Sequence, residues 1–346
     1  MTRRHFGVDG VLGVLVHIGA GVILLMMASL VFVLFLASIE SMRTFGAKFL
    51  VTTTWRPNEL EITKKTPDGK IIKDEDGEPL KEIIPPQFGA LPVIYGTAVS
   101  SMMALVFAVP LSFGAALFLI RIAPRLRPTL TNGWRVPIDL WTSFLIEFLA
   151  AIPSIAYGLW GLFVLVPFMQ RHIEPGLNSI FAHTPGLRAL HINSLSGRDM
   201  LTGSLVLGIM IVPIITAVSR DVLRAVPQAQ IEGSLALGAT WWQSCIGMLR
   251  YSRSGLFGAV MLGLARAAGE TMAVAMVIGN NAQIVASPLA PAQTMSSLLA
   301  NEFAEAPPGG VQVSALLEVA LILLLMSLVF NIIARKLVVG KQGRSL

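Results

Sequence analysis

The sequence predicts an all-α polytopic membrane protein of six transmembrane helices, and three observations carry that prediction. Only 13% of the 346 residues are charged and 54% are hydrophobic, where a soluble domain averages about 25% charged. Six stretches of roughly 19 to 30 residues contain almost no charge, and about 20 apolar residues suffice to cross a bilayer as a helix. The basic residues behind the formal charge of +6 are scattered between these stretches rather than gathered into a patch, which speaks for membrane topology and against nucleic acid. A single cysteine, Cys245, leaves no intramolecular disulfide framework and is a poor start for a metal site.

The elements follow in order. Residues 1–10 form a short N-terminus carrying Arg3 and Arg4. The first span runs from Val11 to Ser38; its 28 residues exceed a signal-peptide core of about 7 to 15, and no small-residue cleavage site follows. Residues 39–90 make an external loop. Its middle, Glu59 to Glu82, alternates charges around Thr66-Pro67-Asp68-Gly69, a turn signal flanked by Ile62 and Ile71, and predicts a small solvated hairpin. Further spans are Leu91 to Ile120, Ile138 to Phe168, Met200 to Val218, Gly255 to Gly279 and Val313 to Ala334. Between them lie external loops at 169–199 and 280–312, a cytoplasmic loop at 219–254, and a tail at 335–346. Pro110, Pro153 and Pro213 fall inside spans, which membrane helices tolerate because neighbouring groups re-satisfy the freed carbonyls.

Placing both termini in the cytoplasm puts 14 Lys and Arg in the inside segments and 11 in the longer outside ones. The rule concerns basic residues close to span ends, so this orientation is the expected one.

Arg266 and Glu270 stand inside the fifth span, within Gly263-Leu-Ala-Arg-Ala-Ala-Gly-Glu-Thr-Met272. Arg266 lies about 16 Å along a helix from Gly255, near mid-bilayer. The i, i+4 spacing puts both side chains on one helix face, where they can pair or converge on one ligand. Intramembrane ionisable groups face a cavity or the bundle interior and mark substrate paths; a structural ion pair between helices is the alternative. A guanidinium in a water-poor cavity is a natural oxyanion ligand. Glu270 then discriminates: it accepts a hydrogen bond from protonated phosphate and repels sulfate. Glu147 is a second candidate, beside Pro153, Ser154 and Tyr157; it serves equally well as a partner for an Arg or a cap for groups freed by the proline. His172, His183 and His191 match no standard ligand spacing. The stretch Asn301 to Glu305 sets acids beside Phe303 and is a candidate docking surface.

In the loop between spans four and five, Pro227 can open a helix and Gly238 can close it with a positive φ. A helix, a turn and a second helix result, either a plain connector or a bracket shaped for a groove on a soluble partner.

Glu232-Gly-Ser-Leu-Ala-Leu-Gly238, followed by Ala239, resembles the Glu-Ala-Ala-x-x-x-Gly loop of permease subunits in ATP-binding cassette importers. In that family the loop docks on the ATPase and transmits its closure. Carried over by position, Glu232 and Gly238 are motif residues, while Gly233 and Ser234 stand where two alanines are usual. Downstream, Met248-Leu249-Arg250-Tyr251 lacks the family's Leu-Pro. Four more blocks are similar to phosphate importer permeases of the C type: Leu91 to Thr97, Ile146 to Gly161, Ala265 to Ala273 and Leu299 to Ala306. Outside loops 39–90 and 169–199 look longer than is usual there.

The resemblance implies a type I importer permease fold of the MetI-like kind. It implies Arg266 and Glu270 as the phosphate-transport residues, with Glu147, Ser154 and Thr271 as subsidiary candidates in the same blocks. It further implies a second permease of the A type, two ATPase subunits, an external phosphate-binding protein, and a place in the bacterial inner membrane. No Gly-x-x-x-x-Gly-Lys-Ser/Thr loop occurs, so ATP and magnesium are expected on the ATPase subunits, with no cofactor in this chain and no enzymatic activity of its own. The competing readings are an ion-coupled anion transporter or channel using Glu270 and Glu147 as proton carriers, and an intramembrane enzyme. The spans hold no Ser and His pair and no two aspartates at matching depth for the latter.

Overall fold

A computed structural model describes residues 8–63, 81–123 and 138–342. The chain opens with α1 (Val8–Ala37), α2 (Ile39–Phe45) and α3 (Lys48–Val51). Within the segment expected to form a hairpin, β1 (Leu60–Thr63) pairs antiparallel with β2 (Lys81–Ile84), Leu60 opposite Ile84. The Thr66 to Gly69 turn lies outside the described residues, as do Arg125, Arg127 and Arg135 of the basic segment after span two. α4 (Leu91–Leu117) runs through Pro110 into a π-helical turn, Phe118–Ile122.

α5 (Ile138–Ala151) and α6 (Ser154–Trp160) are separated by a 92° bend at Ile152-Pro153. The proline cannot donate to the helical ladder, and Tyr157 Oη donates instead to the freed Leu149 carbonyl at 2.7 Å. The chain continues through π turns flanking α7 (Val166–Phe168) into α8 (Glu174–His183). α9 (Met200–Arg224) starts on Asp199, whose side chain accepts from Thr202 N–H. Then come α10 (Gln228–Ala236), α11 (Trp241–Tyr251), α12 (Arg253–Ala268), α13 (Met272–Val277), α14 (Met295–Glu302) and α15 (Val311–Gln342).

Among the described residues four helices are long and apolar enough to cross a membrane: residues 12–37, 91–122, 200–224 and 311–333. The bent pair from Trp141 to His183 makes a fifth if it is counted as one span. The stretch expected as a fifth continuous span, 255–279, is instead a helix that stops at Ala268 and restarts at Met272. Gly269, Glu270 and Thr271 occupy the break, a poor helix former followed by two residues whose polar atoms compete for backbone partners.

The core gathers around α9. Leu207, Ile211 and Ile215 pack with Ala104 and Ala108 of α4, Leu264 and Ala267 of α12, and Val274 and Val277 of α13. Small residues let these backbones approach: a Cβ on Gly208 would come 3.3 Å from the Ala104 carbonyl oxygen. A second cluster joins Phe49, Phe88, Val93, Met295, Leu298 and Leu316. α1 is apolar all round and exposed along its length, the character of a helix bathed in lipid.

Candidate functional site

α12 brings Arg266 to the last turn before the break. The Gly269 N–H makes the last ladder bond, to the Ala265 carbonyl, and the Glu270 N–H turns to the Ala267 carbonyl three residues back, each at 3.3 Å, so the ladder ends there. Thr271 Oγ1 donates to the Gly269 carbonyl at 3.3 Å. The expected single helix face is therefore a helix end. Arg266 Nη2 lies 3.9 Å from Glu270 Oε2, a loose contact. Burial differs sharply between the partners: the Arg266 side chain is 51% exposed and that of Glu270 only 6%. Glu270 Oε1 accepts from the Ala273 N–H at 3.3 Å, so the carboxylate also anchors the first turn of α13. With no other ion pair or hydrogen bond among the described residues, the guanidinium keeps most of its donors for a ligand.

Leu262, Arg266, Gly269 and Met272 share an exposed stripe, while α9, α15 and α4 cover the rest of α12. The cation thus sits on the one open face of an otherwise packed helix.

Ser154 lies on α6, the helix that packs against α13. A Cβ on Gly158 would lie 2.9 Å from Ala273 Cα, and one on Gly161 would lie 3.0 Å from Val277 Cγ1. α6 and α13 therefore run alongside in the same direction, and half-buried Ser154 opens α6 with no hydrogen bond to Arg266 or Glu270 among the described residues. Glu147 does not join that pair either. It lies across the bend on α5, where its carboxylate meets Arg220 Nη1 at 3.5 Å. The Arg-partner role is the one it plays, and Tyr157 takes the capping role at the proline. α9 continues through Arg220 to Arg224, six residues past the Val218 end expected for span four.

The segment after α9 forms the bracket. α10 follows Pro227, and Gly238 takes φ +86. The Gly238 N–H donates to the Leu235 carbonyl at 3.0 Å and the Ala239 N–H to the Ser234 carbonyl at 3.1 Å, the paired bonds of a Schellman ending. α11 begins with a capping box of Thr240 and Gln243. Ser234, where alanine is usual, donates to the Ile231 carbonyl at 2.7 Å and lies 3.1 Å from Ser244 Oγ, stitching α10 to α11. A Cβ on Gly233 would meet nothing within 4 Å. Glu232 stays exposed, and Leu237 at the tip is 91% exposed. Near Asn301 to Glu305, Glu302 turns inward, accepting from Trp55 Nε1 at 2.9 Å, and Phe303 alone of that group presents a large apolar surface.

The family model for binding-protein-dependent transport system inner membrane components matches residues 129–339, which include the bracket and the Arg266 break. The chain belongs to that family. Among relatives of this inner membrane component, the phosphate transport system permease protein PstC of Haemophilus influenzae is 39% identical over 321 residues, covering 92% of this chain and 90% of that protein. PstC of Mesorhizobium japonicum is 36% identical over 345 residues, covering 99% and 94%. A chain of the inward-facing MetNI methionine ABC transporter aligns over 73% of this chain and 94% of its own, with TM-score 0.49 and 16% identity. As a member of this family the chain is a multi-pass permease component of the inner membrane, and catalysis is not its task.

Proposed function

We propose that this chain is the C-type permease subunit of an ATP-driven importer of inorganic phosphate, forming half of the translocation pathway. The observation that carries the reading is Arg266: a guanidinium left open on an exposed stripe at a helix break, held loosely by one buried carboxylate. Such a group offers a donor fork to a tetrahedral oxyanion. Glu270 neutralises it in the empty state and accepts the proton that phosphate still carries. A site that holds its anion by one cation binds it moderately, as release on the far side requires.

Movement comes from outside the chain. In this reading two ATPase subunits bind ATP and magnesium, close, and draw in the α10 and α11 brackets of this subunit and of an A-type partner permease. The helix bundle then opens outward, and phosphate delivered by an external binding protein reaches Arg266; hydrolysis returns the site inward. Both termini lie in the cytoplasm. The exposed tip at Leu237, beside Glu232, Gly233, Gly238 and Ala239, supports the docking role.

The test is uptake of radiolabelled phosphate at micromolar concentration in cells lacking their own high-affinity importer. These receive the partner subunits with this chain or its Arg266→Gln form. Uptake that resists excess sulfate and vanishes in the variant, at equal membrane insertion, is expected. Equal uptake by both forms would make Arg266 structural, and uptake by neither would end the phosphate assignment.

A further inference from the structure

Two carboxyls far from Arg266 are wholly buried: Glu174, the first residue of α8, and Asp199, the residue before α9. One oxygen of each has a backbone donor. The Gly197 N–H reaches Glu174 Oε2 at 3.2 Å, and the Thr202 N–H reaches Asp199 Oδ1 at 2.7 Å. The other two oxygens, Glu174 Oε1 and Asp199 Oδ2, meet no donor, and each carboxyl is the other's remaining partner.

Two ionised carboxylates in this position would repel each other at low dielectric. Among the described residues no cation relieves them. The charged or titratable groups of the surrounding described elements are Arg171, His172, His183, Arg188, His191 and Arg198, and none bonds or ion-pairs with either carboxyl. The first turns of α9 and the stretch 279–294 carry no charged residue. A proton between the two orphaned oxygens converts repulsion into a charge-assisted O–H···O bond, among the strongest in proteins.

We propose that Glu174 and Asp199 share one proton, which clasps the start of α8 to the N-terminus of α9, the end of that helix opposite the α10 and α11 bracket. Burial, reinforced by the neighbouring Glu174 charge, pushes the Asp199 carboxyl up to about 8, so the clasp holds at neutral pH and opens in alkali. The clasped loop bears on the stretch that follows the site. The Arg198 carbonyl oxygen would lie 2.7 Å from a Cβ on Gly279, and Met200 and Leu201 N–H groups donate to the Ala290 and Pro288 carbonyls. Loss of the proton therefore loosens the support beneath α13.

Hydrogen exchange of the assembled transporter in lipid discs, followed by mass spectrometry from acidic to alkaline pH and corrected for intrinsic exchange, tests this. Segments 170–203 and 278–292 should stay protected below the transition and lose protection as pH rises past about 8. The Asp199→Asn form keeps an oxygen for the Thr202 N–H and offers its amide to Glu174, so it should keep its protection in alkali. Infrared spectra provide a second readout: a protonated-carboxyl band present at neutral pH should shift in Glu174→Gln, where the Asp199 proton meets an amide instead of a carboxylate, and vanish when Asp199→Asn is added. Protection that is unchanged across the range in the native chain, or a carboxyl band identical in native and Glu174→Gln forms, would overturn the proposal.

Discussion

Gly158 lies against Ala273: a Cβ at position 158 would come within 2.9 Å of the Ala273 Cα and 2.8 Å of Met276 Sδ. This contact fixes how α6 meets the short helix that follows the Arg266 break, and it leaves room for hydrogen alone. Gly158→Val should cost about 1–3 kcal/mol, the usual penalty of overpacking, read as a fall in the thermal midpoint of the purified complex. Gly19→Val on the outward-facing α1, where nothing lies within 4 Å, should leave it unchanged.

Glu270→Gln removes the charge that repels a fully ionised oxyanion and keeps an acceptor for a protonated one. Sulfate should then compete with phosphate in the uptake assay, whereas in the native chain it should not. Unaltered discrimination would assign selectivity to the partner subunit or the external binding protein.

At the bracket, two changes separate docking from folding. Leu237→Asp puts a charge on the exposed tip and should abolish ATPase stimulation while the chain still inserts. Gly238→Ala forces a Cβ into φ +86, a cost of about 1–2 kcal/mol, and should lower thermal stability before it affects docking.

The Glu147 and Arg220 contact spans α5 and α9 at 3.5 Å, with the Glu147 side chain 63% exposed. The Arg220 side chain is 14% exposed and also meets Asp221 at 3.3 Å, so loss of the open Glu147 leaves its charge paired and should cost roughly 0–1 kcal/mol. Glu147→Gln should therefore retain most uptake, and a double-mutant cycle with Arg220→Gln should give a small coupling. Loss of uptake comparable to Arg266→Gln would return Glu147 to the pathway.

Burial raises the Glu302 carboxyl above its ordinary 4.5, opposed by hydrogen bonds from Trp55 and Gln312 and assisted by the Glu305 charge. Because the folded-state value is raised, the contribution of Glu302 to stability is complete below 4.5 and declines as pH rises through the folded value. Trp55 fluorescence, which senses the carboxylate 2.9 Å from its Nε1, should follow that titration and stay flat in Glu302→Gln.

Much of this was legible in the sequence because it depends on residues close along the chain. Pro227 and Gly238 bound the bracket helix as their backbone preferences dictate, and the long apolar stretches from Leu91 and from Met200 coincide with α4 and α9. Arg266 and Glu270 stood out by the cost of charge in lipid alone. What the sequence concealed depends on competition between local and tertiary partners. A hydropathy window averages over Gly269 to Thr271 and hides the break in 255–279. The contact of Arg220 with Glu147 joins α9 to α5 and has no signature in either stretch alone. α6 meets α13 through the glycine contacts of Gly158 and Gly161, a register no single helix encodes.

α11 ends at Tyr251 and α12 begins at Arg253, with Ser252 alone between them. Its N–H takes the Met248 carbonyl and its own carbonyl takes the Leu256 N–H, both at 3.0 Å, so the joint contains no slack. From Arg253 the rod extends about 20 Å to Arg266. A tilt of α11 is thus passed along α12 to the cation at position 266 as by a crank on a shaft, across the single non-helical residue Ser252.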